Sequence, residues 1–203
     1  MSDLREKILP CATDLYLEHG LKGLSMRILA ERLGVSATAI YRHYRNKEDL
    51  LHNIIGEAIK IFGSYLFPTL SGANAIERFH LSEKAYLDFA LEQSKYYEVL
   101  FLSAEQLGEG EQPVELQQKS QATFQFLIDR VQECIECKYL QKGDPFEIAM
   151  TIWAHSHGLI AIYLGKKTPL EEAAFRELFF ASNRRILNGI GTGIENGNGT
   201  EVK

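Results

Sequence analysis

Apolar residues recur at three- and four-residue intervals along nearly the whole chain, and alternating stretches that could form strands are few, so the pattern predicts an all-α fold of about nine helices. Leu4, Ile8, Ala12, Leu15 and Tyr16 share one face of a first helix, with Ser2 as its cap and Gly20 as its stop. Pro10 falls inside that helix, where the missing N–H predicts a kink. Ser25 opens a short helix that runs through Leu33 to Gly34, and Ser36 opens another to about Tyr44. Asn46 or Lys47 begins a longer one to about Phe62 that carries Leu50, Leu51, Ile54, Ile55, Ala58 and Ile61. Beyond Pro68 and the Ser71-Gly72 break, helices are expected over about 74–93, 95–102, 113–139, 145–165 and 169–188. The last two starts rest on Asp144-Pro145 and Thr168-Pro169, a capping residue followed by proline in the first turn. The acidic stretch GEGEQP reads as a connector, and the Gly- and Asn-rich residues 191–203 read as a flexible tail with little to bury.

Composition adds limits to this picture. The 203 residues carry 22 Lys+Arg against 27 Asp+Glu, a net charge of -5, which excludes a polycation that coats nucleic acid through charge spread over its whole surface. No uncharged apolar run is long enough to span a membrane and the first residues mix both charge signs, so neither an anchor nor a signal peptide is expected. Three cysteines, Cys11, Cys134 and Cys137, do not make a disulfide framework, and a reducing cytoplasm is the expected compartment. The charge is uneven. Residues 1–62 hold nine basic and eight acidic side chains, whereas 63–203 hold 13 and 19. Within residues 22–47, Lys22, Arg27, Arg32, Arg42, Arg45 and Lys47 face the single acid Glu31, a local balance of +5 on an acidic protein. The expected organisation is one domain over 1–62, a second helical domain over 63–190, and the tail.

Residues 25–44 read as helix, tight turn at Gly34-Val35-Ser36, and helix, the helix-turn-helix arrangement. Ile28, Leu29, Leu33, Val35 and Ile40 are the positions that would pack the two helices, which leaves Arg27, Thr38, Arg42 and His43 to face outward. The full stretch LSMRILAERLGVSATAIYRHYRNKEDLL resembles the DNA-binding domain of TetR-family transcriptional repressors. The resemblance is carried by Gly20, Leu29-Ala30, Gly34-Val35-Ser36, Ile40-Tyr41, His43-Tyr44, Asn46-Lys47-Glu48 and Leu50-Leu51, over about residues 5–55 without a gap. Pro10 departs from the alanine-like residues usual there. The resemblance implies that Arg27, Ala37, Thr38 and Arg42 read bases, that Ser25, Tyr41, His43 and Lys47 hold phosphates, and that Tyr44 is core. The chemistry agrees: arginine can bridge guanine O6 and N7, and the methyls of Ala37 and Thr38 can meet thymine.

In the second half, large amphipathic side chains offer candidates for a ligand pocket: Phe79, Tyr86, Phe89, Tyr97, Phe101, Phe124, Trp153 and His157. The segment Trp153-Ala154-His155-Ser156-His157-Gly158 resembles the Trp-x-x-x-His-Gly motif of one TetR C-terminal subgroup, which implies a helix lining both a ligand cavity and a dimer interface. Stripes formed by Ile152, Leu159 and Ile162, and by Phe175, Leu178, Phe179, Ser182 and Ile186, are candidate dimer contacts in a four-helix bundle. Cys134-x-x-Cys137 and His155-x-His157 lack a second ligand pair at zinc-like spacing, so no metal is expected. Phosphate-loop, nucleophile-elbow and dinucleotide fingerprints are missing, and neither a cofactor nor enzymatic activity is expected. The sequence therefore points to a repressor dimer that binds pseudo-palindromic double-stranded operator DNA and is released by a small-molecule effector. The rival reading is a helical ligand- or protein-binding module that no longer reads DNA.

Overall fold

The computed structural model describes residues 2–103 and 113–191, and nine α-helices occur among them. They are α1 (Ser2–Gly23), α2 (Met26–Leu33), α3 (Ala37–Tyr41), α4 (Lys47–Leu66), α5 (Ala75–Glu92), α6 (Ser94–Tyr97), α7 (Val114–Glu136), α8 (Pro145–Leu164) and α9 (Glu172–Ile190). A 3₁₀ turn, Phe67–Ser71, follows α4, and α6 runs directly into a π-helical turn, Glu98–Leu102. Among the described residues the one extended pairing is an isolated antiparallel bridge between Leu140 and Gly191. No described helix is long and apolar enough to cross a membrane. The GEGEQ segment and the tail beyond Gly191 lie outside the described residues.

The helix starts follow side chains that satisfy the free amides of a first turn. Asn46 accepts from the Asp49 amide at 2.7 Å while the Asp49 carboxylate takes the Arg45 amide at 2.9 Å. Asn74 and Glu77 repeat the arrangement ahead of α5, at 2.9 and 2.7 Å, and Asp144 caps α8 through the Phe146 amide at 2.8 Å. Three expectations need correction. The break in α1 falls at Gly20, whose φ of 66° a residue with a Cβ rarely adopts, while Pro10 lies within the helical run. Helix α9 begins at Glu172 rather than at Pro169, with Glu171 at its cap position, because Thr168 is used in the preceding turn, where its hydroxyl accepts from the Leu170 amide at 3.4 Å. Ile28 does not pack the helix pair: it is 36% exposed.

By contacts the chain forms two compact units that do not meet at a single cut: one comprises residues 1–64 and 92–121, the other 65–91 and 122–203. The first is centred on Ile8, Ala12, Leu15 and Tyr16 of α1, Leu29 and Ala30 of α2, Ile40 of α3, Tyr44, and the inner face of α4. Val99 and Leu116 complete that core. Lys95 donates to Asp14 at 2.6 Å, and the Tyr16 hydroxyl donates to the Ser103 carbonyl at 3.2 Å, so the segment after α5 is fastened to α1.

The second unit packs Phe79, Val131, Cys134, Leu140, Ala149, Ile152 and Leu187 into its own core. Helices α8 and α9 are joined by the stacked rings of Tyr163 and Phe175, 4.0 Å apart, and by two polar contacts. His155 Nε2 lies 3.0 Å from the Ser182 hydroxyl, and the buried Asn183 amide donates to the buried Ser156 hydroxyl, also at 3.0 Å. Ion pairs tie the remaining elements: Arg78 and Arg130 share Glu133, and Arg176 spans Asp88 and Glu172. Arg130 also lies over the Phe126 ring at 4.9 Å, and no buried side-chain nitrogen or oxygen among the described residues lacks a partner.

Candidate functional site

The geometry of the α2–α3 pair follows from its turn. Gly34 takes a left-handed conformation, φ 67°, that lets its amide reach the Glu31 carbonyl at 3.1 Å and lets the Val35 amide reach Ala30 at 2.9 Å. The Ser36 hydroxyl then accepts from the Ala39 amide at 3.3 Å and starts α3. Because α3 is fixed by the fully buried Ile40 and by the buried Tyr44 beyond its end, its other side is presented outward. Burial of a side chain the size of Ile40 contributes about 1.5–3 kcal/mol, enough to hold so short a helix in one orientation. Thr38, Arg42 and His43 are exposed, Tyr41 is 54% exposed, and Ala37 is half-buried against the core. Arg27 is exposed on α2, Ser25 and Lys47 are half-buried, and Ser25 sits at the N-cap of α2 without using its hydroxyl in a cap bond.

Electrostatics refine the basic window read from the sequence. Arg32 is held by both carboxylate oxygens of Glu18, and this contact, followed by the neighbouring charges, holds the Glu18 carboxyl below its usual range. Arg27, Arg42, Arg45 and Lys47 form no ion pair among the described residues. The uncommitted positive charge therefore lies around α3 and at the start of α2 and α4, beside the exposed polar groups.

The sensing candidates separate into two sets. Phe124, Trp153 and His157 are brought together: the Phe124 and Trp153 rings meet edge to face at 5.9 Å, and Trp153 stacks on His157 at 5.1 Å with a 22° tilt. Burial pushes the His157 imidazole below its ordinary pKa. Phe79 belongs to the adjoining core against which Phe124 packs, Phe89 meets Tyr65 at 5.7 Å, and Tyr86 is buried. Tyr97 and Phe101 lie in the N-terminal unit, where they contact one another at 4.9 Å and Phe101 meets Phe62 at 5.8 Å. An aromatic side chain at helical spacing does not disclose which core it will join.

The dimer candidates divide by burial. Ile152, Phe175 and Phe179 are buried within their own chain, and Ser182 is engaged by His155, so these side chains serve intrachain packing. Leu159 and Ile186 are half-buried, while Ile162 is 48% exposed. Exposed Met150, in step with Ala154 and Ile162 along α8, was missed, although its spacing of four was readable. On α9 the exposed apolar residue is Leu178.

Burial first, then Cys137 and Glu133, push the Cys134 thiol up to about 12, and its Sγ donates to the Ala75 carbonyl at 3.8 Å. Among the described residues no group of three or more His, Cys, Asp or Glu is placed to hold an ion.

This all-helical protein, with a helix-turn-helix unit and a second helical unit, has the architecture of a bacterial regulator. Residues 8–54 match the model of bacterial regulatory proteins of the tetR family, and residues 82–182 match the tetracyclin repressor-like C-terminal domain. An HTH-type transcriptional regulator of Staphylococcus aureus (strain USA300) is 34% identical over 58 residues, which cover 29% of this chain and 31% of that protein, so the chain spans about a third of the length of the curated relatives it matches. The solved ketosteroid transcriptional regulator KstR2 of Mycobacterium tuberculosis superposes with a TM-score of 0.75 at 17% identity, over 93% of this chain and 95% of that one. The transcriptional regulator FadR from Bacillus subtilis, in complex with stearoyl-CoA, gives 0.69 at 18% identity over 94% and 100%. The chain belongs to the TetR family of bacterial regulatory proteins, a family of transcriptional regulators rather than enzymes.

Proposed function

We propose that the protein is a cytoplasmic, homodimeric repressor that binds a pseudo-palindromic operator through α3 of each subunit and is released by a small-molecule effector. The observation that carries this reading is the division of α3 into a buried anchor, Ile40 with Tyr44, and an exposed set of Thr38, Tyr41, Arg42 and His43, flanked by cations that no carboxylate among the described residues neutralises. A helix so presented fits the major groove, with Arg27, Ala37, Thr38 and Arg42 against base edges and Ser25, Tyr41, His43 and Lys47 against phosphates. Two half-sites about one helical turn apart require two copies, and the exposed Met150, Ala154 and Ile162 of α8 with Leu178 of α9 supply the apolar face for pairing. The neighbour solved with stearoyl-CoA supports a small-molecule effector, and the Phe124–Trp153–His157 group is the place for it. Effector binding would then favour the conformation with low operator affinity.

The test is footprinting and gel shift on DNA flanking the protein's own gene at several stated salt concentrations. Protection of a two-fold-symmetric site with steep salt dependence supports the reading. Uniform weak binding to all sequences overturns it in favour of a helical module without operator specificity.

A further inference from the structure

Helix α8 carries no Asp, Glu, Lys or Arg from Ile148 to Leu164, and its outward positions Met150, Ala154, Gly158 and Ile162 repeat every four residues. Met150, Ala154 and Ile162 are exposed. Among the described residues, nothing beyond Gly158's own helix backbone and chain neighbours lies within 4 Å of the place its Cβ would take. A helix apolar on its outer side as well as its inner side is ordinarily buried, so this face calls for a cover.

The apolar positions leave the occupant open, and the charges of α9 decide it. Glu177, Ala181 and Arg184 stand at i, i+4 and i+7 and so share one face of α9, beside the exposed Leu178. Glu177 and Arg184 are exposed, and neither forms an ion pair among the described residues. The stripe therefore runs acid, small residue, base. Laid against an identical stripe running the opposite way, it sets each acid on a base and brings the two Ala181 side chains to the centre. Acid and base stand roughly 10 Å apart along the helix axis, so the two symmetric pairs form together. Laid parallel, the stripe would set acid on acid and base on base. It is thus its own complement only about a two-fold axis perpendicular to α9, the symmetry of an isologous contact between two copies.

We propose that a second copy of this chain covers the face, with α9 crossing its symmetry mate antiparallel at Ala181 and Glu177 of each copy paired with Arg184 of the partner subunit. This rests on the homodimer reading above and adds the contact that sets orientation and partner. Charges bordering an apolar contact give little affinity where water screens them, and act mainly through the penalty they put on a wrong match.

Self-association of the full-length protein is measured by sedimentation equilibrium over a concentration series at low salt, with circular dichroism as the check on folding. The parent is expected to dimerise. Glu177→Arg and Arg184→Glu each set like charges together at both symmetric positions, and each should weaken the dimer at least about tenfold. A mixture of these two variants regains both pairs across a mixed dimer, and the doubly swapped variant, Glu177→Arg with Arg184→Glu, regains them in a homodimer. Both should recover most of the loss, and raising the salt should shrink every difference. Single variants that dimerise as tightly as the parent overturn the pairing and leave the homodimer reading intact. Weakened single variants that neither the mixture nor the double swap rescues overturn it too, since the loss is then not one of matched charge. A parent that stays monomeric throughout overturns the homodimer reading and the proposal with it.

Discussion

In the N-terminal unit Arg27, Arg42 and Arg45 are exposed and form no ion pair among the described residues, whereas in the C-terminal unit Arg78, Arg130 and Arg176 each lie against a carboxylate of the same chain. Arg184 and Arg185 of α9 are exposed and form no ion pair among the described residues, so it is the half-buried and buried arginines of the C-terminal unit that are consumed, while the arginines beside α3 are held available. The difference is not absolute, since Arg32 of the N-terminal unit is paired with Glu18, and that exception narrows the available charge to the neighbourhood of α3. Net charge is therefore a poor guide to partners. What matters is which cations the fold has already neutralised.

The largest expected effect comes from breaking the consumed set. Glu133→Ala would leave Arg78 and Arg130 facing one another without their shared carboxylate, and it should cost about 2–3 kcal/mol of unfolding free energy in a urea titration. A loss within experimental error would show that these pairs behave as ordinary surface contacts. The same set predicts acid sensitivity. Burial alone would raise the Glu133 and Asp88 carboxyls, but their basic partners outweigh it and hold both below the usual range. Their contribution is full above the pKa of the unfolded chain and is lost as pH falls through the depressed native values, so thermal stability should decline as pH drops below about 4.

Next in size is Arg42→Ala, which should weaken operator binding by about 1–3 kcal/mol, read as a rise in Kd of about fivefold to 150-fold at fixed salt. Its unfolding free energy should stay within about 0.5 kcal/mol of the parent's, since no internal contact is lost. A variant that destabilised the fold instead would place Arg42 among the consumed cations. A smaller contrast lies between two serines. Ser36 caps α3 through the Ala39 amide, so Ser36→Ala should cost about 1 kcal/mol of stability, while Ser25 makes no cap bond and Ser25→Ala should change DNA affinity and leave the melting curve in place. Smallest of all, Lys47→Ala should reduce the slope of log affinity against log salt by about one, without altering the preferred sequence.

Much of the fold was legible where one side chain decides a local event. Asn46, Asn74 and Asp144 announced their helices because a short polar group accepts an amide two or three residues on, and Gly34 announced the turn because the turn requires a positive φ. The inner face of α3 was legible too, since Ile40 and Tyr44 lie four apart and both are buried. Long-range choices left no such mark. Val99 and Leu116 have the periodicity of any core residue, and nothing local assigns them to the core of α1–α4. Tyr97 and Phe101 likewise carry no local sign that they pack in the N-terminal unit. The stripes of α8 and α9 are ambiguous for a similar reason, because an amphipathic pattern marks a face to be buried without saying whether the same chain or a second copy covers it. Phe175 and Phe179 prove to be covered by their own chain.

The buried Ser156–Asn183 contact has a consequence for motion. Hydroxyl and amide meet at one register only, and a slide of α9 along α8 by a single residue would strip both of their partners, at about 1–3 kcal/mol for each group left bare. The two helices are therefore stitched near their midpoints as well as by the Tyr163–Phe175 stack, so the outward pattern they present jointly, Met150, Ile162 and Leu178 included, keeps its spacing.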